Sequence, residues 1–389
     1  MTRAGSGAVF GASTRANTAR AMTKALRGLS GAPATYGFMF VSPELDLGEA
    51  MKEAALAAPG VDLIGCTTAG EIDETGLIRG GVSVLLVADT PGRHQVRFTP
   101  STAAVSRAVG DLALGAVESF GDDGCSARTV VMLTDALSGT GERLVDELWS
   151  TSGSLCEIVG GAAGDEGRFQ GVHVAANAQL GRGASAALHV ASERRWGVGV
   201  DHGLTQMTKA MRVTKAEGAT VYELDGRPAF DVYRDYALSR GVELHKHDAS
   251  TFFVNNELGV LFFDQLKKAR APLKAHEDGS LSCAAPVPAG ASVCILGGER
   301  DDLVAAARRA ATEAKQRLGG RPACGLLIFD CICRGAILDS EFAREIDAVR
   351  EVFPDTPLSG FLTYGEIARY SGRLDGWHNS TVVVVAIPA

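Results

Sequence analysis

Apolar and polar positions recur in the same order three times along the chain. An apolar run, YGFMFVS, precedes the alanine-rich segment LGEAMKEAALAAPG. TVVMLTD likewise precedes GERLVDELWST, and CGLLIFDCICRG precedes FAREIDAVREVFP. Short runs bounded by glycine and polar residues predict strands, and the segments between them predict helices that cover a sheet face. Each unit ends in a glycine-rich turn with an acid: LIGCTTAGEI at 63–72, IVGGAAGDEG at 158–167 and LSGFLTYGEI at 358–367. The first and third copies agree at leucine, glycine, threonine, glycine, glutamate and isoleucine, whereas the second keeps Gly160 and Glu166 in register with Gly65 and Glu71. A further strand follows each copy: GVSVLLVA, then VHVAANA with ALHVA, and finally STVVVVAI. The expected fold is α/β, with repeated strand-helix-strand units forming mixed sheets covered by helices, in two domains.

The rhythm breaks in the middle. Residues 214–237 predict a strand, a turn at DGRP and a helix whose first turn accepts Pro228. Residues 249–263, TFFVNNELGVLFF with its flanks, predict a hairpin or bent strand pair around Asn255 and Asn256. Residues 301–317 predict a helix capped by Asp301. The expected domains are 1–212 and 213–389.

Composition narrows the function. With 46% hydrophobic and 22% charged residues the chain is of ordinary globular type. A net charge of −8 and the absence of any lysine–arginine run argue against nucleic acid. No apolar stretch reaches the ~20 residues of a membrane-spanning helix, and the first residues lack a signal-type apolar run. The chain therefore reads as a cytoplasmic protein without membrane insertion. Eight scattered cysteines fit reduced, mostly buried thiols.

In an open α/β sheet, small molecules bind in the crevice beyond the strand carboxyl ends, where the glycine-rich turns belong. Cys66, Thr67, Thr68 and Glu71 of the first copy, and Thr363, Tyr364 and Glu366 of the third, are therefore candidate ligand contacts. The competing reading makes them structural turns whose hydroxyls cap backbone groups. CICRG adds Cys331, Cys333 and Arg334. Zinc would need two further ligands arriving as a second pair. A dithiol switch needs both sulfurs exposed, and a nucleophile needs a histidine that the local sequence lacks. The remaining reading is a pocket wall, with Arg334 offering a planar fork to a carboxylate or phosphate, or instead pairing with Glu366 or Glu71 to tie two loops. His245 and His247 fit a solvated turn, and His378 in GWHNS a structural hydrogen bond.

GCTTAGEI with GGVSVLLV resembles the FIST N-terminal domain. VTKAEGATVYELDGRPAFDVY, FDCICRG and PLSGFLTYGEI resemble the FIST C-terminal domain, and together the resemblance spans roughly residues 9–387. It implies a bacterial, stand-alone sensory protein of intracellular signal transduction that binds a small polar or amino-acid-like ligand and passes its output to a separate partner. Some stand-alone members of this length are haem-containing nitric-oxide sensors acting through a histidine kinase, so haem is a cofactor the resemblance admits. No C-x-x-C-H attachment motif is present and spacing marks no axial histidine. A cysteine- or acid-dependent enzyme using Cys331, Cys333 or Cys66 with Glu71 or Glu366 is the reading from another class.

Overall fold

In the computed structural model, which describes residues 1–11, 13–90, 93–113, 125–152, 156–262, 265–370 and 374–389, the threefold rhythm becomes three copies of one α/β unit. The first contains β1 (Arg3–Phe10), α1 (Thr14–Gly28), β2 (Tyr36–Val41), α2 (Leu47–Ala57), β3 (Asp62–Thr67), the hairpin β4 (Glu71–Asp73) and β5 (Gly76–Ile78), and β6 (Gly81–Ala88). The second runs β7 (His94–Thr99), α3 (Val105–Leu112), β8 (Ala127–Thr134), α4 (Gly141–Ser152), β9 (Cys156–Ala162), the hairpin β10 (Val174–Ala176) and β11 (Gln179–Gly181), and β12 (Ser185–Ser192).

The third unit is split. Its first strand, β13 (Gly197–Asp201), is followed by an inserted subdomain: β14 (Thr205–Gln206), β15 (Met211–Glu217), β16 (Thr220–Leu224), β17 (Arg227–Pro228), α5 (Ala229–Ser239), α6 (Ala249–Asn255), β18 (Glu257–Phe262), β19 (Gln265–Arg270), β20 (Pro272–Ala275), β21 (Leu281–Cys283) and β22 (Ser292–Gly297). The unit then resumes with α7 (Arg300–Arg317), β23 (Ala323–Cys331), α8 (Ile332–Leu338), α9 (Ala343–Val352), β24 (Leu358–Thr363), the hairpin β25 (Glu366–Arg369) and β26 (Gly376–His378), and β27 (Val382–Pro388). The repeated strand-helix-strand architecture with mixed sheets is thus present, as expected. Units one and two fill the N-terminal half; most of unit three and the subdomain fill the C-terminal half.

The units interlock. Within each, the sheet order is the same: β1-β6-β2-β3, β7-β12-β8-β9 and β13-β27-β23-β24. The hairpin after each glycine-rich turn leaves its own sheet and extends another. β4–β5 joins β24, β10–β11 joins β3, and β25–β26 joins β9, so the exchange closes in a ring. Where the turns cross, Leu362 bonds Gly70 and Ala69 (Leu362 N to Gly70 O 2.8 Å, Ala69 N to Leu362 O 3.0 Å), Ala162 N donates to Gly365 O at 2.8 Å, and Gly164 N donates to Thr67 O at 2.9 Å. Each hairpin thereby satisfies edge groups that another unit leaves open.

The glycine shared by all three copies has one cause. Gly65, Gly160 and Gly360 stand opposite Met39, Met132 and Ile328 in the parallel pairs of the three units. A Cβ there would lie 2.7, 1.9 or 2.2 Å from the carbonyl oxygen of that neighbour. Around the crossing, Phe40, Phe329 and Phe361 pack ring to ring at 4.7–6.3 Å, and Gly161 makes room for them: a Cβ on it would meet Thr363, Phe361 and Phe329. Helices α1 and α2, α3 and α4, and α7 and α9 cover the sheets in pairs.

Two local expectations change. Residues 249–255 form α6 rather than the first arm of a hairpin, because Phe253 is spent on the subdomain core against Tyr233 (5.2 Å), leaving only β18 extended. Helix α7 starts one residue earlier than Asp301, with a capping box in which Glu299 accepts from the Asp302 amide and the Asp302 carboxylate accepts from the Glu299 amide. Gly160→Ala combines a φ of +148° with the Met132 clash; it is expected to cost on the order of 3 kcal/mol, measured by urea unfolding.

Candidate functional site

Each unit places a loop after its second strand opposite a turn donated by another unit, at the carboxyl ends of the strands. Three equivalent clefts result. In the second unit the cleft is closed by Trp377, whose ring lies against the α-carbons of Gly141 and Gly365. In the third, the extra helix α8 occupies the space and leaves about 260 Å³, lined by Leu77, Arg79, Asp339 and Phe342 among others. The first unit's cleft stays open, about 630 Å³, between the 43–48 loop and the turn of the second copy.

The second copy diverges at positions that the other two share. Asp165 stands where the other copies have Gly70 and Gly365, and Ala163 replaces Thr68 and Thr363. Asp165 is buried at the base of the turn, where its carboxylate accepts from the amides of Phe169 (2.8 Å), Gln170 (2.7 Å) and Gly171 (3.0 Å) and from the Tyr364 hydroxyl. Burial alone would raise its pKa; the hydroxyl and the three amides outweigh burial and hold it below its usual range. Tyr364 in turn accepts from the amides of Asp165 (3.1 Å) and Gly167 (2.7 Å), and Phe169 stacks on its ring at 4.6 Å. The turn is therefore a rigid cradle pinned from the third copy.

Charges of opposite sign face each other across the open cleft. Glu44 and Asp46 stand on the loop leading into α2; Arg168, Arg182 and His173 stand on the other wall. Asp46 caps α2 by accepting from the Glu49 amide at 2.8 Å, and Arg168 pairs with Glu166 at 3.0 Å and Glu44 at 3.5 Å. Arg182 lies across Gly171 and donates to the Gln170 carbonyl at 2.6 Å. Burial and the neighbouring Arg182 lower the pKa of His173, which keeps its imidazole neutral. Thr67 reaches the floor from the end of β3, its hydroxyl oxygen accepting from the His173 amide at 3.0 Å.

The ten residues singled out from the sequence fall into three places. Thr67 lines this cleft, and Tyr364 supports it from behind through Asp165. Cys66 is fully buried in the central core, while Thr68 and Glu71 form a closed device in which the Thr68 hydroxyl donates to Glu71 Oε1 and the Gly81 amide to Oε2 at 2.9 Å. Thr363 and Glu366 repeat it: the hydroxyl donates at 2.5 Å, and Thr381 donates to Oε2 through its amide (3.1 Å) and hydroxyl (2.9 Å). Here the turn hydroxyls hold a buried carboxyl, so both copies brace the crossing.

Cys331, Cys333 and Arg334 form the third place, a buried polar seam between unit three and the inserted subdomain. Cys331 ends β23 and Cys333 lies in α8, so they are not on one strand. The Cys331 thiol, hydrogen-bonded to Cys333 and buried, is raised well above its ordinary value, and burial and Glu71 raise Cys66 likewise. Both therefore stay as thiols. Arg334 is 1% exposed, and its partners are Asp330 (3.1 Å) and Glu345 rather than Glu71 or Glu366. It also donates to the carbonyls of His202 (2.8 Å) and Leu303 (3.0 Å). Burial opposes its charge, but Glu345 and Asp330 outweigh that and raise its pKa.

Asp165, Arg168, His173, Arg182, Glu44 and Asp46 were not singled out by the sequence reading. Asp165 alone was signalled, by an acid where the other two copies have a glycine; the other five lie outside the repeated turns. Among the described residues, no cluster of three or more His, Cys, Asp and Glu side chains is placed to hold a metal ion. Nor do the described cavities fit a haem: the cleft that carries His173 is walled by charge, and the apolar groove beside it has neither histidine nor cysteine.

The FIST N domain profile matches residues 35–227 and the FIST C domain profile residues 229–369. The chain belongs to the FIST-domain family. FIST domains are sensory, ligand-sensing modules, and the family boundary falls inside the inserted subdomain, between β17 and α5. No curated protein matches the chain. Among solved structures, "cyanuic acid hydrolase from A. caulinodans" is 12% identical over 49% of this chain and 71% of that one, with a TM-score of 0.24, too low to bear on fold or function. Among the described residues of this FIST chain, no helix is long and apolar enough to cross a membrane.

Two outcomes check this electrostatic account. Burial raises Glu71 to about 8 and Glu366 to about 7 against their hydrogen bonds. A carboxyl raised on folding makes the folded state bind more protons, so the stability these two groups contribute is fully present below the unfolded carboxyl range and is lost as pH rises toward 8. Since one pKa unit corresponds to ~1.4 kcal/mol, Glu71→Gln and Glu366→Gln should flatten that decline, raising stability relative to the parent more at pH 8 than at pH 5 in urea titrations. Arg334→Met, which strands Asp330 and Glu345, is expected to cost about 3–5 kcal/mol in the same measurement.

Proposed function

We propose that this FIST protein is a sensor whose open cleft, between the 43–48 loop and the second-copy turn, binds a small zwitterion of amino-acid type. The observation that carries the reading is the pairing of opposite walls: Arg182 and Arg168 for a carboxylate, Asp46 and Glu44 for an ammonium, in the one of three equivalent clefts that neither Trp377 nor α8 fills. Arg182 supplies a planar donor fork, and the Thr67 hydroxyl is free to turn its proton toward the guest, since its oxygen already accepts from His173. Neutral His173 adds a hydrogen-bonding group without adding charge.

The reading is of binding rather than catalysis. The thiols that an enzyme would use as nucleophiles, Cys66 and Cys331, are buried and held protonated, and Glu71 and Glu366 are engaged in their closed devices. A bound guest bridging the two walls would favour the conformation in which they stand closest, and that bias is the signal. It would pass to a separate protein such as a histidine kinase, because the 43–48 loop and the rigid turn belong to different units and closing them moves one unit against another.

Thermal unfolding with each of the twenty protein amino acids at millimolar concentration tests this. At least one is expected to raise the melting temperature of the parent. Arg182→Ala should weaken its affinity by roughly tenfold or more, the worth of a charge-assisted hydrogen bond. If none of the twenty raises it, the proposal fails.

A further inference from the structure

The open cleft does not end at its charged walls. Beyond Gly48 and Leu180, which line both spaces, lies a second trough of about 540 Å³ between α2 and the β10–β11 hairpin. Its surface is mainly apolar, with Met51, Ala55, Val61, Leu63, Ala175 and Leu180 lining it beside the polar Lys52, Asp62, Asn177 and Gln179. The boundary is one side chain. Leu180 leans over the bare α-carbon of Gly48, where a Cβ would stand 3.2 Å from its Cδ2, yet Leu180 is 46% exposed on the outermost strand of its sheet. An apolar residue that exposed, on a short strand that is the edge of its sheet among the described residues, turns aside at little cost.

We infer that the cleft and the trough are one composite site, and that its ligand is an α-amino acid with a large apolar side chain, such as leucine, methionine or phenylalanine. This rests on the zwitterion reading and extends it. The charged walls hold the carboxylate and ammonium, and the side chain passes Leu180 to lie along α2 between Met51 and Ala55. Leu180 then packs over the guest and exchanges its water-exposed face for an apolar contact. Selectivity follows from burial: polar or small side chains gain nothing from the trough, whereas each buried methylene adds to affinity. The glycine at 48 is what lets a side chain cross, since any larger residue would stand in the passage.

Calorimetric titration of the full chain with glycine, alanine, leucine and phenylalanine tests the inference. Leucine or phenylalanine should bind at least tenfold more tightly than alanine. Ala55→Trp, at an exposed helix position where folding is checked by its melting curve, should cut the leucine-to-alanine affinity ratio to near one. Equal affinities for alanine, leucine and phenylalanine, or a ratio that Ala55→Trp leaves unaltered, would overturn the composite site while leaving the zwitterion reading intact. Absence of binding by all four and by the other protein amino acids would overturn both.

Discussion

Everything in this molecule hangs on a backbone contact: within each unit's third strand a glycine lies directly against the carbonyl oxygen of the neighbouring parallel strand. With no side chain there, three strand ends converge and their turns cross at hydrogen-bonding distance. The hairpins that follow are carried into other sheets, and the ring of exchanges makes each unit depend on another for its edge. A unit removed from the ring would expose an unpaired strand edge and lose the Phe40, Phe329 and Phe361 packing. Cooperative folding of all three units is the consequence.

That same geometry generates three equivalent clefts among the described residues, and they differ in how far they are filled. Two copies keep the threonine–glutamate device, with a buried carboxyl held by a hydroxyl and a backbone amide. In both, the hydroxyl and the amide close around the carboxyl. The second copy gives the device up, puts Asp165 at the glycine position and builds a cradle of amides around it. The cleft beside that cradle is the one left open. Tyr364 ties the third copy to the diverged second.

The threefold repeat, the strand and helix order and the membership of the FIST family could be read from the chain, because apolar periodicity and the near-identical turns LIGCTTAGEI and LSGFLTYGEI are local signals. The ring of exchanged hairpins could not, since each short hairpin fits its own sheet as well as another in pattern alone. For the candidate site, similarity between copies pointed at Glu71 and Glu366, which the structure places in closed hydrogen-bonded devices at the crossing. Arg334 is similarly a matter of distance along the chain; its partner Glu345 lies on α9, a separation that no spacing rule on a strand end anticipates. Thr67 and Tyr364 were found because they belong to the turns, and Asp165 was passed over because it appears in the copy that matched least.

The central claim is that ligand is held where the second copy diverges and not in the buried seam around Cys331, Cys333 and Arg334. Amide hydrogen exchange of the full chain, with and without an equimolar mixture of the twenty protein amino acids, measures this most directly. The account predicts slowed exchange in residues 43–48 and 165–182, with 331–334 and 363–381 unaltered. Slowing confined to 331–334 and 363–381 would contradict it.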